Sequence, residues 1–161
     1  ECRLGWLRKH RRAKAGSTVL DIGASNGAFV YHAHRSGCTA LGIEPSGEMC
    51  DWGRGHHGSG MFQGTWECLS GCWDLIVATD VIEHLLRPME FLQRCRIFGK
   101  SLYLETPEFT SCWTASSKHV KPYEHVCCYS RAALLSLVRL TGWRVTKTYR
   151  PVPGKFGVLC R

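Results

Sequence analysis

Long hydrophobic runs are missing from this chain of 161 residues. No stretch is long enough to cross a bilayer as a helix and none has the apolar centre of a secretory leader, so no membrane partner is expected. The opening at Glu1 rather than Met leaves room for a further N-terminal segment and any targeting information it carried. Zinc-knuckle spacing is missing too: among 10 cysteines, Cys68 and Cys72 stand four apart, Cys127 and Cys128 are adjacent, and no two C-x-x-C pairs occur. Several thiols, Cys38 and Cys95 among them, fall in apolar patterns, which is the usage of buried free thiols in an intracellular, reducing compartment, cytoplasmic or organellar. Acidic residues are few, 13 against 21 Lys and Arg, for a formal charge of +8. Arg3, Arg8, Lys9, Arg11, Arg12 and Lys14 place much of that excess before the first strand, where it fits either a solvated helix face or a contact with nucleic acid or ribonucleoprotein. Aromatic RNA-recognition signatures, internal repeats and low-complexity tracts are all lacking.

What is present is a strict alternation of strand and helix signals. One domain over 1–161 is expected at this length. A basic helix from Leu4 to Ala15 precedes strands at Ser17 to Ile22 and Thr39 to Ile43, with a helix Ala28 to Arg35 between them. A short helix starts at Pro45-Ser46 and runs to Trp52, and Gly53 to Gly60 reads as a loop whose His56 and His57 are solvated rather than metal-bound. Further strands are expected at Met61-Phe62, Trp73 to Ala78, Ser101 to Glu105, Trp143 to Tyr149 and Phe156 to Cys160. Helices at Met89 to Ile97, opened by Pro88, and Arg131 to Leu140, capped by Ser130, complete the pattern. Such alternation predicts an α/β fold with a mostly parallel sheet of six or seven strands, helices on both faces and any ligand at the carboxyl ends of the strands. Glu108 to Tyr129 is a long irregular stretch, read as a substrate-side insertion.

The chemistry centres on Thr18 to Val30, where an apolar strand breaks into a turn bearing Gly23 and Gly27 and resumes as a helix. Glycine there lets backbone N–H groups approach a ligand, and the helix turns its positive end to the same place. Glu44, at the tip of the next strand, is positioned to accept hydrogen bonds from ribose hydroxyls. The turn holds no G-x-G-x-x-G run, which argues against a dinucleotide.

Val19-Leu20-Asp21-Ile22-Gly23-Ala24-Ser25-Asn26-Gly27, Gly42-Ile43-Glu44-Pro45-Ser46 and Trp73 through Leu85 resemble, in order and spacing, the motifs of the class I S-adenosylmethionine-dependent methyltransferases. Leu104-Glu105-Thr106-Pro107 and Tyr123-Glu124-His125 through Ser130 are similar to later blocks of the branch that includes ubiquinone-type O-methyltransferases. The resemblance implies a Rossmann-like methyltransferase fold with S-adenosylmethionine as cofactor. It implies Asp21, Gly23 and Gly27 at the methionine end, backbone contacts from Ala24 and Ser25, and Glu44 beside Pro45 on the ribose. Thr65 and Trp66 would lie near the adenine, and Thr79 and Asp80 near the sulfonium. Ser25 departs from the family by replacing the middle glycine, and Thr65 by standing where relatives carry an acid.

Within that resemblance, a helical turn beginning at Asp80 would set Asp80, Glu83 and His84 on one face. With His125 they could bind a divalent metal that activates a substrate hydroxyl, an arrangement similar to that of small-RNA 3′-terminal ribose methyltransferases; alternatively His84, His125 and Glu83 serve as base and supporting groups without metal. The leading expectation is methyl transfer to a hydroxyl of a small molecule. RNA methylation, approached through the basic N-terminal helix, and a non-catalytic methyltransferase-like subunit of a larger ribonucleoprotein assembly are the alternatives.

Overall fold

The computed structural model describes residues 3–109 and 124–161. Its centre is a seven-stranded sheet: β1 (Thr18–Ile22), β2 (Thr39–Glu44), β3 (Met61–Gln63), β4 (Leu75–Thr79), β5 (Leu102–Pro107), β6 (Val145–Tyr149) and β7 (Lys155–Cys160), in spatial order β3-β2-β1-β4-β5-β7-β6. β1 to β5 are parallel; β7 enters antiparallel between β5 and β6. Strand order reverses at β1, which pairs with β2 on one side and β4 on the other, so a crevice opens there above the carboxyl ends.

The central strands β1, β4, β5 and β7 are buried on both faces, as strands covered by helices on either side must be, while edge strands β3 and β6 are largely exposed or half-buried. Leu20, Ile76, Ala78, Leu102 and Leu104 point to one face and meet α4 (Pro88–Phe98) and α5 (Arg131–Leu140) through Phe91, Leu92, Leu134 and Val138. Val19, Leu75, Val77 and Tyr103 point to the other, against α1 (Arg3–Lys9), α2 (Ala28–Arg35) and α3 (Gly47–His57). No helix among the described residues is long and apolar enough to cross a membrane. The described cysteines are all free, with Cys38, Cys50, Cys95 and Cys160 buried.

Two helices differ from expectation. α1 stops at Lys9 instead of running to Ala15, because Arg11 turns left-handed at φ 59° and the chain then folds back to bury Ala13. Seven residues make too short a helix to stand alone; Trp6 and Leu7, buried against Tyr103 and Tyr149, hold it. α3 runs through the glycines to His57 instead of ending at Trp52. Gly53 is a glycine within the helix because a Cβ there would come within 2.9 Å of the Asn26 carbonyl oxygen. Trp52 stacks on His56 at 4.2 Å and His57 on Tyr31 at 4.9 Å, so both histidines are occupied by ring contacts. Most of the Glu108 to Tyr129 stretch, including Tyr123, lies outside the described residues.

Candidate active site

The turn after β1 is stitched to the end of β2. Gly23 and Ala24 donate their N–H groups to the Ile43 carbonyl at 2.8 and 3.1 Å. Gly23 (φ 72°) cannot be replaced: a Cβ there would sit 2.5 Å from Val81 Cγ2. Ser25 adopts φ 49°, the left-handed conformation its family's glycine would take without strain. A non-glycine residue gives up on the order of 1 kcal/mol for it. The Ser25 N–H donates to Glu44 Oε2 at 2.8 Å, and the Ser46 N–H donates to Oε1 at 3.0 Å. Glu44 thus fixes the turn and is itself held, with lone pairs left for further donors.

Two hollows meet at this turn, and Gly23 and Asp80 border both. The larger, of about 520 Å³, has Glu44, Pro45, Thr65, Trp66 and His84 in its walls. The smaller, of about 220 Å³, is lined by Arg3, Asp21, Ala24, Ser25 and Thr79. Of the residues implied for the cofactor, Gly27 lines neither; at φ 74° it serves the turn that starts α2. The Asp21 carboxyl is buried in the smaller hollow and accepts no hydrogen bond from the described residues. Burial pushes it up to about 7, the Arg3 charge pulling it down and Glu44 pushing it up.

Beyond the hollows lies an ionic network. Glu105, fully buried on β5, is gripped by the Arg3 fork at 2.6 and 2.7 Å, accepts from Tyr103 Oη at 2.8 Å and faces Lys155 Nζ at 3.8 Å. Lys155 also pairs with Asp80. Asp80 does not begin a helical turn: it is left-handed at φ 54°, and a single 3-10 turn follows at Ile82–His84. Its carboxylate therefore faces Lys155 on β7 while Glu83 and His84 go elsewhere.

Glu83, His84 and His125 do come together, each offering a ligand atom within 4.8 Å of the others. Asp80 stands outside that set. The His84 and His125 rings meet edge to face at 4.9 Å. Glu83 is buried, accepts from Thr106 Oγ1 at 2.9 Å through Oε2, and leaves Oε1 without a partner among the described residues. Burial pushes its carboxyl above the ordinary range. His84 Nδ1 lies 2.7 Å from the Glu124 carbonyl. A carbonyl only accepts, so Nδ1 carries the proton, and in the neutral ring Nε2 keeps its lone pair.

Three residues escaped the sequence reading. Arg3 and Lys155 reach the site across 102 and 75 residues of chain, separations no local pattern reveals. Glu67 lines the larger hollow two residues past the non-acidic Thr65, whose hydroxyl bonds to it while Arg87 pairs with it at 3.0 Å. An acid so close to the expected position was the available signal.

The structure is similar to a SAM-dependent methyltransferase from Archaeoglobus fulgidus, with TM-score 0.79 at 18% identity over 98% of this chain and 91% of that one. A SAM-dependent methyltransferase from Aquifex aeolicus gives TM-score 0.76 at 18% identity, over 98% and 88%. Magnesium protoporphyrin IX methyltransferase from Synechocystis PCC 6803, solved with bound SAH, gives 0.78 at 13% identity, over 98% and 78%. By sequence, no curated protein matches. Residues 4–148 match the model of a methyltransferase domain, and with the motif turn, the switch-point hollows and the seven-stranded sheet in agreement, the chain belongs to the methyltransferase-domain family as a class I S-adenosylmethionine-dependent enzyme.

Proposed function

We propose that the protein methylates a hydroxyl of a small molecule. The observation that carries this reading is the His84 ring at the wall of the larger hollow, oriented by the Glu124 carbonyl and backed by His125 and buried Glu83. S-adenosylmethionine supplies an activated methyl group on a good leaving group, so the protein must align the reactants and take a proton from the acceptor.

The two joined hollows suit a molecule with a nucleoside at one end and a charged amino acid at the other. Glu44, held by two backbone donors, retains acceptor capacity for vicinal hydroxyls. Pro45, Thr65 and Trp66 would bound the base, with Glu67 beside them. Asp21, buried and lacking a hydrogen-bond donor, would take an ammonium group, and Gly23, Ala24 and Ser25 would present the turn backbone, with Thr79 and Asp80 at the junction. His84 Nε2 would accept the hydroxyl proton, and a carboxylate at Glu83 would stabilise the resulting His84 imidazolium. Free thiols at eight described cysteines support placing the protein in a reducing intracellular compartment.

Incubation with S-adenosylmethionine bearing a labelled methyl group, against a panel of phenols, alcohols, carboxylic acids and RNA, tests the reading. Label on a hydroxyl, with kcat reduced at least 100-fold in His84→Ala and cofactor affinity retained, is expected from loss of a general base. Label on RNA, or full turnover in His84→Ala, would overturn it.

A divalent metal held by Glu83, His84 and His125 is a second reading, favoured by the convergence of their donor atoms and the unpartnered Glu83 Oε1. A bound ion would lower the pKa of the substrate hydroxyl in place of a base. Chelator should then abolish turnover and a divalent cation restore it, and added cation should raise the melting temperature of the wild type but not of His125→Ala.

A further inference from the structure

The amino-terminal end of the sheet, opposite the cofactor hollows, holds a second cavity that methyl transfer does not use. It has a volume of about 310 Å³ and is formed where the loop after α1 crosses the starts of β1 and β5 and the end of β7. Arg11, Arg12, Lys14, Lys100 and Arg161 line it, against one carboxylate, Asp74. That carboxylate is already committed: it takes Lys100 Nζ at 2.8 Å and the Thr18 N–H and hydroxyl at 3.0 and 3.1 Å. Four cationic side chains therefore border the cavity with no side-chain carboxylate among the described residues to balance them.

The wall is built, not frayed. Arg11 and Arg12 donate their N–H groups back to Arg8 and Leu7, the Ser17 N–H bonds to the Lys14 carbonyl, and the buried Ala13 anchors the loop between Arg12 and Lys14. Arg12 Nε is sealed from solvent and has no hydrogen-bond partner among the described residues. An enclosed guanidinium N–H with nothing to receive it lacks an acceptor, and a loop that gathers like charges resists folding unless an anion offsets them. Arg144, paired backbone to backbone with Arg161 at 2.9 Å in both directions, extends the positive rim beyond the cavity.

We propose that this cavity binds a phosphate group. Guanidinium groups suit phosphate through paired N–H donors, and the ammonium group of Lys14 adds point charge. The same chemistry is presented by a free pyrophosphate-type ligand and by the backbone of a nucleic acid. Because the cavity and the cofactor hollows lie at opposite ends of the strands, either would anchor or regulate the enzyme without being methylated there.

The test uses the full chain at low ionic strength, with inorganic pyrophosphate followed by calorimetry and a labelled single-stranded RNA 12-mer followed by fluorescence anisotropy. Two variants are compared with the wild type: Arg12→Ala, which removes the sealed guanidinium, and Lys14→Ala with Arg161→Ala, which alters side chains at the cavity mouth and spares the core. Binding of at least one probe, weakened tenfold or more in both variants while S-adenosylmethionine affinity stays within twofold, is expected. Saturable pyrophosphate binding with no RNA binding identifies a small phosphate ligand. RNA binding whose affinity falls with salt at a log–log slope of about −3, as four neutralised phosphates would give, identifies a polynucleotide. Failure of both probes to bind, or binding that survives in the Lys14→Ala, Arg161→Ala protein, overturns the proposal.

Discussion

Replacing Arg3 by Met is the sharpest test of how the site is held together. The substitution keeps the apolar stem and removes two N–H donors that reach Glu105 at 2.6 and 2.7 Å. Glu105 is fully buried, so it cannot exchange the lost partners for water. Breaking a buried pair from one side costs about 3–5 kcal/mol when the remaining charge is stranded. Here two features reduce that figure: the Arg3 side chain is 35% exposed, and Glu105 keeps Tyr103 Oη at 2.8 Å and Lys155 at 3.8 Å. A loss of about 2 kcal/mol follows, which is about 4–8 °C in melting temperature for a domain of this size. Urea unfolding of wild type, Arg3→Met, Glu105→Gln and the double variant separates the pair term from the rest, and a coupling of at least about 1 kcal/mol is expected. Additive single effects, or a loss below about 0.5 kcal/mol in Arg3→Met, would refute the claim that this contact latches α1 to the sheet.

Asp21 gives a pH signature. Burial holds its carboxyl at about 7, above the 3.8 of an exposed aspartate, so its contribution to stability is complete below that lower value and is lost as pH rises through 7. Denaturant midpoints of the ligand-free protein should fall over that window and flatten in Asp21→Asn, whereas S-adenosylmethionine affinity should rise as the carboxyl ionises. Glu44→Ala removes the acceptor for both the Ser25 and Ser46 N–H groups, and a drop in cofactor affinity of about 100-fold or more by calorimetry is expected from losing charge-assisted bonds. Gly157→Ala would set a methyl group 2.7 Å from Tyr103 Oη, and overpacking of this kind should cost about 1–3 kcal/mol in urea unfolding.

The sheet is readable because buried parallel strands announce themselves as short apolar runs: β1 and β5 are bounded by glycine or proline, and β4 carries the unbroken run Leu75 to Ala78 between aspartates. The helices were less so. Arg-rich residues 10–15 have good helix propensity, yet burying Ala13 outweighs it. The glycines of α3 suggested a loop, but one of them is there for a close approach to Asn26. At the site, Gly23 and Glu44 were legible from the spacing of turn and strand tip. Asp80 borders both hollows as expected, but it leaves the Glu83–His84 set because its partner Lys155 arrives from a strand far along the chain. Ser25 stands where the family carries a glycine; Glu44 accepting its N–H shows how a serine is kept there.

The placement of β7 has a consequence for synthesis. Among the described residues it is the last strand in sequence order and the one bridge between β5 and β6. Until residues 155–160 have left the ribosome, β5 presents an unpaired edge and Lys155 has not reached Asp80. The sheet is therefore closed by a segment made after all its neighbours, and the nascent enzyme cannot form the Lys155–Asp80 pair before that segment has been translated.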